Sequence, residues 1–127
     1  MTARPAHTKR VLVVDDEPGI RRVIDRLLKQ YGYETLLAPT GQEGLKLFDL
    51  HAPEIALVLL DWNLPGISGR ETLAQLLKRR ADLRVILVTG APEATTDEYA
   101  TARTVSMLLK PFTPTELMLA VKTILEA

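Results

Sequence analysis

Acidic, hydroxyl and ammonium side chains follow four apolar runs of this sequence. Asp15 and Asp16 directly follow the first run, and Asp61 follows the second. Thr89 ends the third run, and Lys110 follows the fourth. An aspartate can attack phosphorus and form an aspartyl phosphate, while a hydroxyl and an ammonium group can offset charge on the transferred oxygens. These residue types therefore predict phosphoryl-transfer chemistry.

The four runs, which are apolar except for Arg84 and Ser106, span residues 11–14, 55–60, 84–88 and 105–109. Continuous apolar runs of this length, rich in β-branched residues, are typical of strands that are buried on both faces. The sequence predicts a fifth strand at 34–37, next to the turn residues Pro39 and Gly41. Each polar residue of interest is therefore predicted to lie at the carboxyl end of a buried strand.

Segments with the apolar spacing of helices lie between or after these runs. Apolar residues recur at i, i+3, i+4, i+7 and i+8 from Ile20, and the pattern returns at 117–125 and, in shorter form, at 73–77. Pro18 and Pro114 suit first helical turns, and Gly32 ends the first helix. Further helices are predicted at 42–50 and 93–103. Alternation of strand and helix favours a parallel sheet with helices on both faces.

The carboxyl ends of parallel strands share one edge of a sheet, where ligands bind. Carboxylates gathered there repel one another and raise each other's pKa unless a cation lies between them. Mg²⁺ prefers oxygen ligands and keeps some of its waters, so two or three carboxylate oxygens and a backbone carbonyl would suffice. A magnesium site is therefore predicted at this edge.

Composition narrows the alternatives. The 127 residues suit one domain, and 16 basic residues balance 16 acidic ones, which gives no broad footprint for nucleic acid or anionic lipid. No apolar run is long enough to span a membrane. The chain has no cysteine, which excludes thiolate chemistry and fits a reducing compartment. Residues 1–9 lack the apolar segment of a secretory signal and are interpreted as a flexible tail before a domain at 10–127.

Four motifs together resemble the receiver domain of bacterial response regulators, over roughly residues 10–125. Each motif ends or follows an apolar run, and all four occur in the family's order. They are VLVVDDE at 11–17, LDWNLPG at 60–66 with Gly69, VTG at 88–90 and KPF at 110–112. The resemblance implies a flavodoxin-like, doubly wound α/β fold with a five-stranded parallel sheet, predicted in the order 2-1-3-4-5, and five flanking helices.

The resemblance also implies functional roles. Asp61 would accept a phosphoryl group from the phosphohistidine of a sensor histidine kinase or phosphotransfer protein. Asp16, Asp61 and the backbone carbonyl of Asn63 would hold Mg²⁺, with Asp15 acting largely through a metal-bound water.

The same resemblance assigns a switch to the far ends of the last two strands. Thr89 would rotate toward the phosphate and Lys110 would bind it, with the Lys110-Pro111 peptide in the cis form. Phosphorylation would then change the loops after strands three and four and the surface formed by helix four, strand five and helix five.

The sequence departs from the family pattern in three places. Met107 stands where many receivers have an aromatic switch residue, and a flexible methionine can fill two packings. Ala91 stands where relatives have a side chain that influences the attacking water, which predicts a long-lived phosphorylated form. Residues 101–106 lack the small-Gly-small turn that usually precedes strand five.

Other conspicuous residues are interpreted as structural. Trp62 is expected to be a partly exposed neighbour of the site, and His7 and His51 are expected to be surface histidines. The basic run 78–80 is expected to form the solvated end of a helix.

Two other functions stay open at this point. A Mg²⁺-dependent phosphohydrolase also uses an aspartate nucleophile, but its Asp-x-Asp pattern supplies a general acid where this chain has Asn63. The other alternative is an interaction module whose acidic site is vestigial.

The receiver interpretation predicts a cytoplasmic signalling domain that is not an enzyme beyond its own phosphorylation and dephosphorylation. It predicts an output partner of unknown identity, no direct nucleic-acid or membrane binding, and leaves phosphorylation-dependent homodimerisation open. Whether the chain is a single-domain regulator or part of a longer one also stays open.

Overall fold

The structure is a computed structural model that describes residues 10–91 and 104–126. The strands are β1 Arg10–Val14, β2 Glu34–Ala38, β3 Ile55–Asp61, β4 Val85–Thr89 and β5 Val105–Leu109. The helices are α1 Pro18–Gln30, α2 Gly41–His51, α3 Gly69–Arg79 and α4 Pro114–Glu126, with a short 3₁₀ turn at Ala52–Glu54. Within these described ranges, no helix combines the length and apolar composition needed to cross a bilayer.

All five strands pair in parallel, in the order β2-β1-β3-β4-β5. The predicted doubly wound sheet and its strand order are therefore confirmed. Four of the five predicted helices are present, and the remaining one, at 93–103, lies outside the described residues. The order reverses between β1 and β3, so the carboxyl ends of these two strands border the crevice where α/β folds bind ligands.

Two hydrophobic cores cover the two faces of the sheet. In β1, Val11 and Val13 point toward the core formed with α1 and α4, whereas Leu12 and Val14 point toward the core formed with α2 and α3. Both sets are at most 1% exposed. Because successive strand residues face opposite sides, burial on both faces requires the continuous apolar run seen in the sequence.

Local side-chain caps fix where two of the helices begin. The Thr40 hydroxyl accepts the Glu43 N–H at 3.1 Å at the start of α2, and the Ser68 hydroxyl accepts the Glu71 N–H at 3.1 Å at the start of α3. At the end of α1, Gly32 has φ of 90° and donates to the Lys29 carbonyl, as predicted for a helix stop.

The prediction that residues 105–109 form a buried strand was wrong. Leu108 is buried, but Met107 is 42% exposed and Leu109 is 50% exposed. The reason is position, because β5 pairs only with β4 and closes one end of the sheet. An apolar run alone does not distinguish an edge strand from a central one.

The interpretation of residues 78–80 as a solvated helix end was wrong for Arg80. Its guanidinium donates to the carbonyl of Ile55 at 2.7 Å and to that of Ala52, and it lies over the Phe48 ring. Arg80 thus ties the end of α3 to the start of β3, at the opposite end of the sheet from the acidic residues.

Candidate functional site

Asp15 lies just past the end of β1 with only 2% of its surface exposed. Its Oδ1 accepts the Glu17 N–H at 2.9 Å, and its Oδ2 lies 3.8 Å from the Nζ of Lys110. β1 places Asp15 at the carboxyl-terminal edge of the sheet, and the bond to Glu17 fixes one of the two carboxylate oxygens of Asp15. The other oxygen faces the ammonium group.

Asp61, the last residue of β3, repeats this arrangement. It is 3% exposed, its Oδ1 accepts the Asn63 N–H at 3.1 Å, and its Oδ2 lies 3.5 Å from the Nζ of Lys110. One ammonium group therefore faces two buried carboxylates that come from the ends of neighbouring strands.

Asp16 completes a cluster of three carboxylates. One oxygen each from Asp15, Asp16 and Asp61 can be chosen so that all lie within 4.8 Å of one another, and Asp16 is exposed to solvent. Three carboxylates against one ammonium leave excess negative charge, which suits a divalent cation with oxygen ligands. The predicted magnesium ligands thus include three side chains that the structure brings together.

Burial is the main cause that raises the pKa of the Asp15 carboxyl above its ordinary value, and burial likewise raises the pKa of Asp61. Backbone N–H groups and Lys110 oppose this shift by stabilising the charged forms, whereas neighbouring carboxylates add to it. Ionising close carboxylates in a desolvated site is costly, and a bound cation would offset that cost.

Thr89 ends β4 and is completely buried. Its hydroxyl accepts the Ala91 N–H at 3.0 Å, so in this structure it is engaged with the backbone of its own turn. The Thr89 carbonyl accepts the Lys110 N–H at 2.8 Å, which joins the ends of β4 and β5. The Lys110-Pro111 peptide is cis, as predicted.

Asn63 and Met107 are placed without their predicted roles being tested. Asn63 is exposed and contacts Asp61 through its N–H, while the role of its carbonyl as a ligand stays a prediction. Met107 pairs with Leu87 in the β4–β5 ladder, and its role in a switch also stays a prediction. The same holds for the long-lived phosphorylated form expected from Ala91, which the dephosphorylation rates of Ala91→Glu and Ala91→Asn would test.

The expectation that Trp62 is partly exposed was wrong. Only 7% of Trp62 is exposed, and it belongs to the core between the sheet and the α2 and α3 helices. The guanidinium of Arg70 lies 5.5 Å from its ring centroid. Leu60 lies in the same core, so the side chains on both sides of Asp61 in the sequence face α2 and α3. The buried indole is therefore a reporter that adjoins Asp61.

Arg21 contacts the site but was missed by sequence reasoning. It lies in α1, and its Nη1 donates to the Asp15 carbonyl at 2.7 Å. Every residue has a backbone carbonyl, so the residue types of a pair do not reveal a bond between a side chain and a carbonyl. The only signal in the sequence was the position of Arg21, one helical turn after Glu17.

A sequence model of the response regulator receiver domain matches residues 11–122. The chain belongs to this family. The match includes all four strand ends that supply the site, so this receiver domain carries its acidic cluster, Thr89 and Lys110 in the expected order. The family match does not favour a phosphohydrolase or an interaction module with a vestigial site.

Known proteins agree with this assignment. The phosphate regulon transcriptional regulatory protein PhoB of Pseudomonas aeruginosa is 37% identical over 92% of this chain and 52% of its own length. A receiver domain protein from Clostridium thermocellum matches with a TM-score of 0.83 and 30% identity, over 93% of this chain and 94% of that one. TrrA from Thermotoga maritima, crystallised with Mg²⁺ and BeF, matches with a TM-score of 0.79 and 38% identity, over 91% and 98%. The chain spans about half the length of the curated relatives it matches.

Proposed function

We propose that Asp61 is the phosphoacceptor of this receiver domain and that a sensor histidine kinase or phosphotransfer protein supplies the phosphoryl group. One observation carries the proposal. The Asp61 carboxylate is buried, with Oδ1 held by the Asn63 N–H and Oδ2 facing the ammonium of Lys110. A fixed carboxylate beside a positive charge is suited to attack an anionic donor.

In the proposed transfer, a carboxylate oxygen of Asp61 attacks the phosphorus of phosphohistidine. A P–O bond forms, the P–N bond breaks, and its electron pair leaves with the imidazole nitrogen. The ammonium of Lys110 offsets the negative charge that the transferred oxygens bring to the site. The Thr89 hydroxyl, which here bonds the Ala91 N–H, turns to a phosphoryl oxygen in the phosphorylated state.

Asp16, Asp61 and the backbone carbonyl of Asn63 would hold Mg²⁺, and Asp15 would act through a water molecule. When bound, Mg²⁺ offsets the charge of the clustered carboxylates and of the phosphoryl oxygens. The carboxylate cluster supports this proposal, as does the 38% identical TrrA, which was crystallised with Mg²⁺ and BeF.

Phosphorylation then shifts an equilibrium between two conformations, and signalling is the output. The loops after β3 and β4 carry the change toward β5, where Met107 takes the place of the aromatic switch residue. The domain catalyses nothing beyond its own phosphorylation and dephosphorylation, and it binds neither nucleic acid nor membrane directly. We place it in the cytoplasm, where kinases draw phosphate from ATP. Its output partner has no assignment, and phosphorylation-dependent homodimerisation is one form that the output can take.

Trp62 fluorescence tests the metal site. We expect Mg²⁺ to change the emission of this buried indole, and beryllofluoride, which has the tetrahedral shape of a phosphoryl group, to change it further. Asp61→Asn should weaken the Mg²⁺ response and abolish the second change. Asp82→Asn is the matched control, since Asp82 is exposed at the other end of the sheet. Equal Mg²⁺ midpoints in wild type and Asp61→Asn would overturn the proposed metal site, and an unchanged beryllofluoride response in Asp61→Asn would overturn Asp61 as the phosphoacceptor.

A further inference from the structure

Arg21 is bound twice to the turn that carries the first two acidic residues. Its backbone N–H donates to the Glu17 carbonyl at 3.0 Å, as the first turn of α1 requires, and its Nη1 donates to the Asp15 carbonyl at 2.7 Å. The side chain therefore reaches back over the helix start and holds the last peptide group before the turn.

That bond completes a set of three anchors on one residue. The Asp15 N–H donates to the Ala38 carbonyl of β2 at 3.1 Å, its carbonyl accepts from Arg21, and its Oδ1 accepts from Glu17. With these groups fixed, the orientation of the side chain is set, and Oδ2 is left to face Lys110. The three anchors come from β2, from α1 and from the turn that precedes α1.

The start of α1 depends on this arrangement because it has no ordinary cap. Glu17 occupies the N-cap position and makes no side-chain capping bond, unlike Thr40 and Ser68 at the starts of α2 and α3. In its place, the Asp15 carboxylate accepts the Glu17 N–H. The carboxylate that faces the cation site thus also shapes the turn, and Arg21 fixes the peptide that carries it.

We propose that Arg21 is a positioning residue for the cation site: by holding the Asp15 carbonyl, its guanidinium fixes the direction of the Asp15 carboxylate. This inference rests on the proposed magnesium site. Arg21 touches neither the phosphoryl group nor the cation, and it acts through Asp15. In the part of the chain that the structure describes, Arg21 has no carboxylate partner, so holding this carbonyl is the contact that accounts for its position.

The test compares Arg21→Met, which keeps the length of the side chain but loses its donors, with Arg22→Met. Arg22 is the exposed next residue of the same helix, so its replacement removes the same charge without the bond. The first readout is the Mg²⁺ dissociation constant from Trp62 emission. We expect Arg21→Met to raise it several-fold. This is less than the roughly 10- to 100-fold effect seen when a direct ligand loses its orienting partner, because Asp15 would act through a water molecule. Arg22→Met should leave the constant nearly unchanged.

The second readout needs no metal. Hydrogen exchange of the Glu17 amide, measured in metal-free protein, reports directly on its bond to Asp15. We expect faster exchange in Arg21→Met than in wild type or Arg22→Met. Arg21→Lys, which keeps the charge but not the planar fork, should lie between them in both measurements. It also serves if Arg21→Met does not fold.

Unchanged Glu17 exchange, or equal Mg²⁺ affinities for Arg21→Met and Arg22→Met, would overturn the inference. A lower Tm with unchanged Mg²⁺ affinity would do the same, because it would show a structural role alone. If wild type itself bound no Mg²⁺, the proposed function would fail, and the positioning of a cation ligand would fail with it. The exchange rates would still show separately whether Arg21 orients Asp15.

Discussion

At the residue scale, the carboxylates of Asp15 and Asp61 make the same pattern of contacts. Each gives one carboxylate oxygen to the N–H of the residue two positions on, and each turns the other oxygen toward Lys110. The first bond fixes the side chain, and the second oxygen is left for chemistry. The sequence could place both acids and the lysine at one edge, because each stands at the end of an apolar run. It could not show Arg21, whose partner is a backbone carbonyl.

Burial of Asp61 gives a stability prediction with a definite sign. Burial raises its folded-state pKa above the ordinary value of 3.8, so the folded protein favours the protonated carboxyl. That contribution is complete below the ordinary pKa and is lost as the pH rises through the raised value. Above the raised pKa, the metal-free protein holds an ionised Asp61 carboxylate that destabilises it.

We accordingly expect Asp61→Asn to raise the Tm by a few degrees at neutral pH in the presence of a chelator, and to raise it less near pH 4. Mg²⁺ should raise the Tm of wild type more than that of the variant, and Asp82→Asn should behave as wild type. Thermal unfolding followed by circular dichroism measures all three proteins. A lower Tm for Asp61→Asn than for wild type, in chelator at neutral pH, would contradict this reasoning.

At the element scale, the close approach of α3 to the end of β3 shapes the loop after Asp61. The Gly69 N–H donates to the Trp62 carbonyl at 3.2 Å at the first position of the helix. Strand ends and helix starts were predictable from apolar runs, prolines and turn residues, and most bounds agree to within about two residues. The exposure of β5 was not predictable, because the position of a strand within a sheet depends on pairing between distant segments. Arg80 was misread for the same reason, since its carbonyl partners lie far away along the chain.

The close approach predicts that any side chain at position 69 destabilises the fold. A Cβ at this position would lie 2.6 Å from both the Cα and the carbonyl oxygen of Trp62, and 2.8 Å from the carbonyl oxygen of Asp61. These are backbone atoms that cannot move without displacing the loop. We expect Gly69→Ala to lower the free energy of unfolding by about 1–3 kcal/mol and to weaken Mg²⁺ binding as the loop shifts.

Gly19→Ala is the matched control, because nothing lies within 4 Å of a Cβ at that position of α1. It should leave stability unchanged or raise it by up to about 1 kcal/mol, since alanine favours helix. Urea unfolding and a Mg²⁺ titration measure both variants. Equal stability of the two alanine variants would contradict the close packing at Gly69.

At the scale of the whole molecule, structural contacts lie at one end of the sheet and the candidate functional residues lie at the other. Arg80 and the 3₁₀ turn hold the start of β3, while the acids, Thr89 and Lys110 lie where the strands finish. The alternation of strands and helices predicted this division, because the carboxyl ends of parallel strands meet at one edge. How phosphorylation reaches an output partner was not predictable from the sequence, because Met107 replaces the aromatic switch residue of many receivers. Residues 92–103, which include the predicted fourth helix, lie outside the described structure.

The central claim is that this receiver domain is phosphorylated on Asp61. Mass spectrometry of the protein after incubation with Mg²⁺ and acetyl phosphate tests it most directly. We expect one phosphoryl adduct on wild type, located to the peptide that contains Asp61, retained in Asp82→Asn, absent from Asp61→Asn and lost when Mg²⁺ is chelated. No adduct on wild type under conditions that modify ordinary receivers, or an unchanged adduct on Asp61→Asn, would contradict the claim.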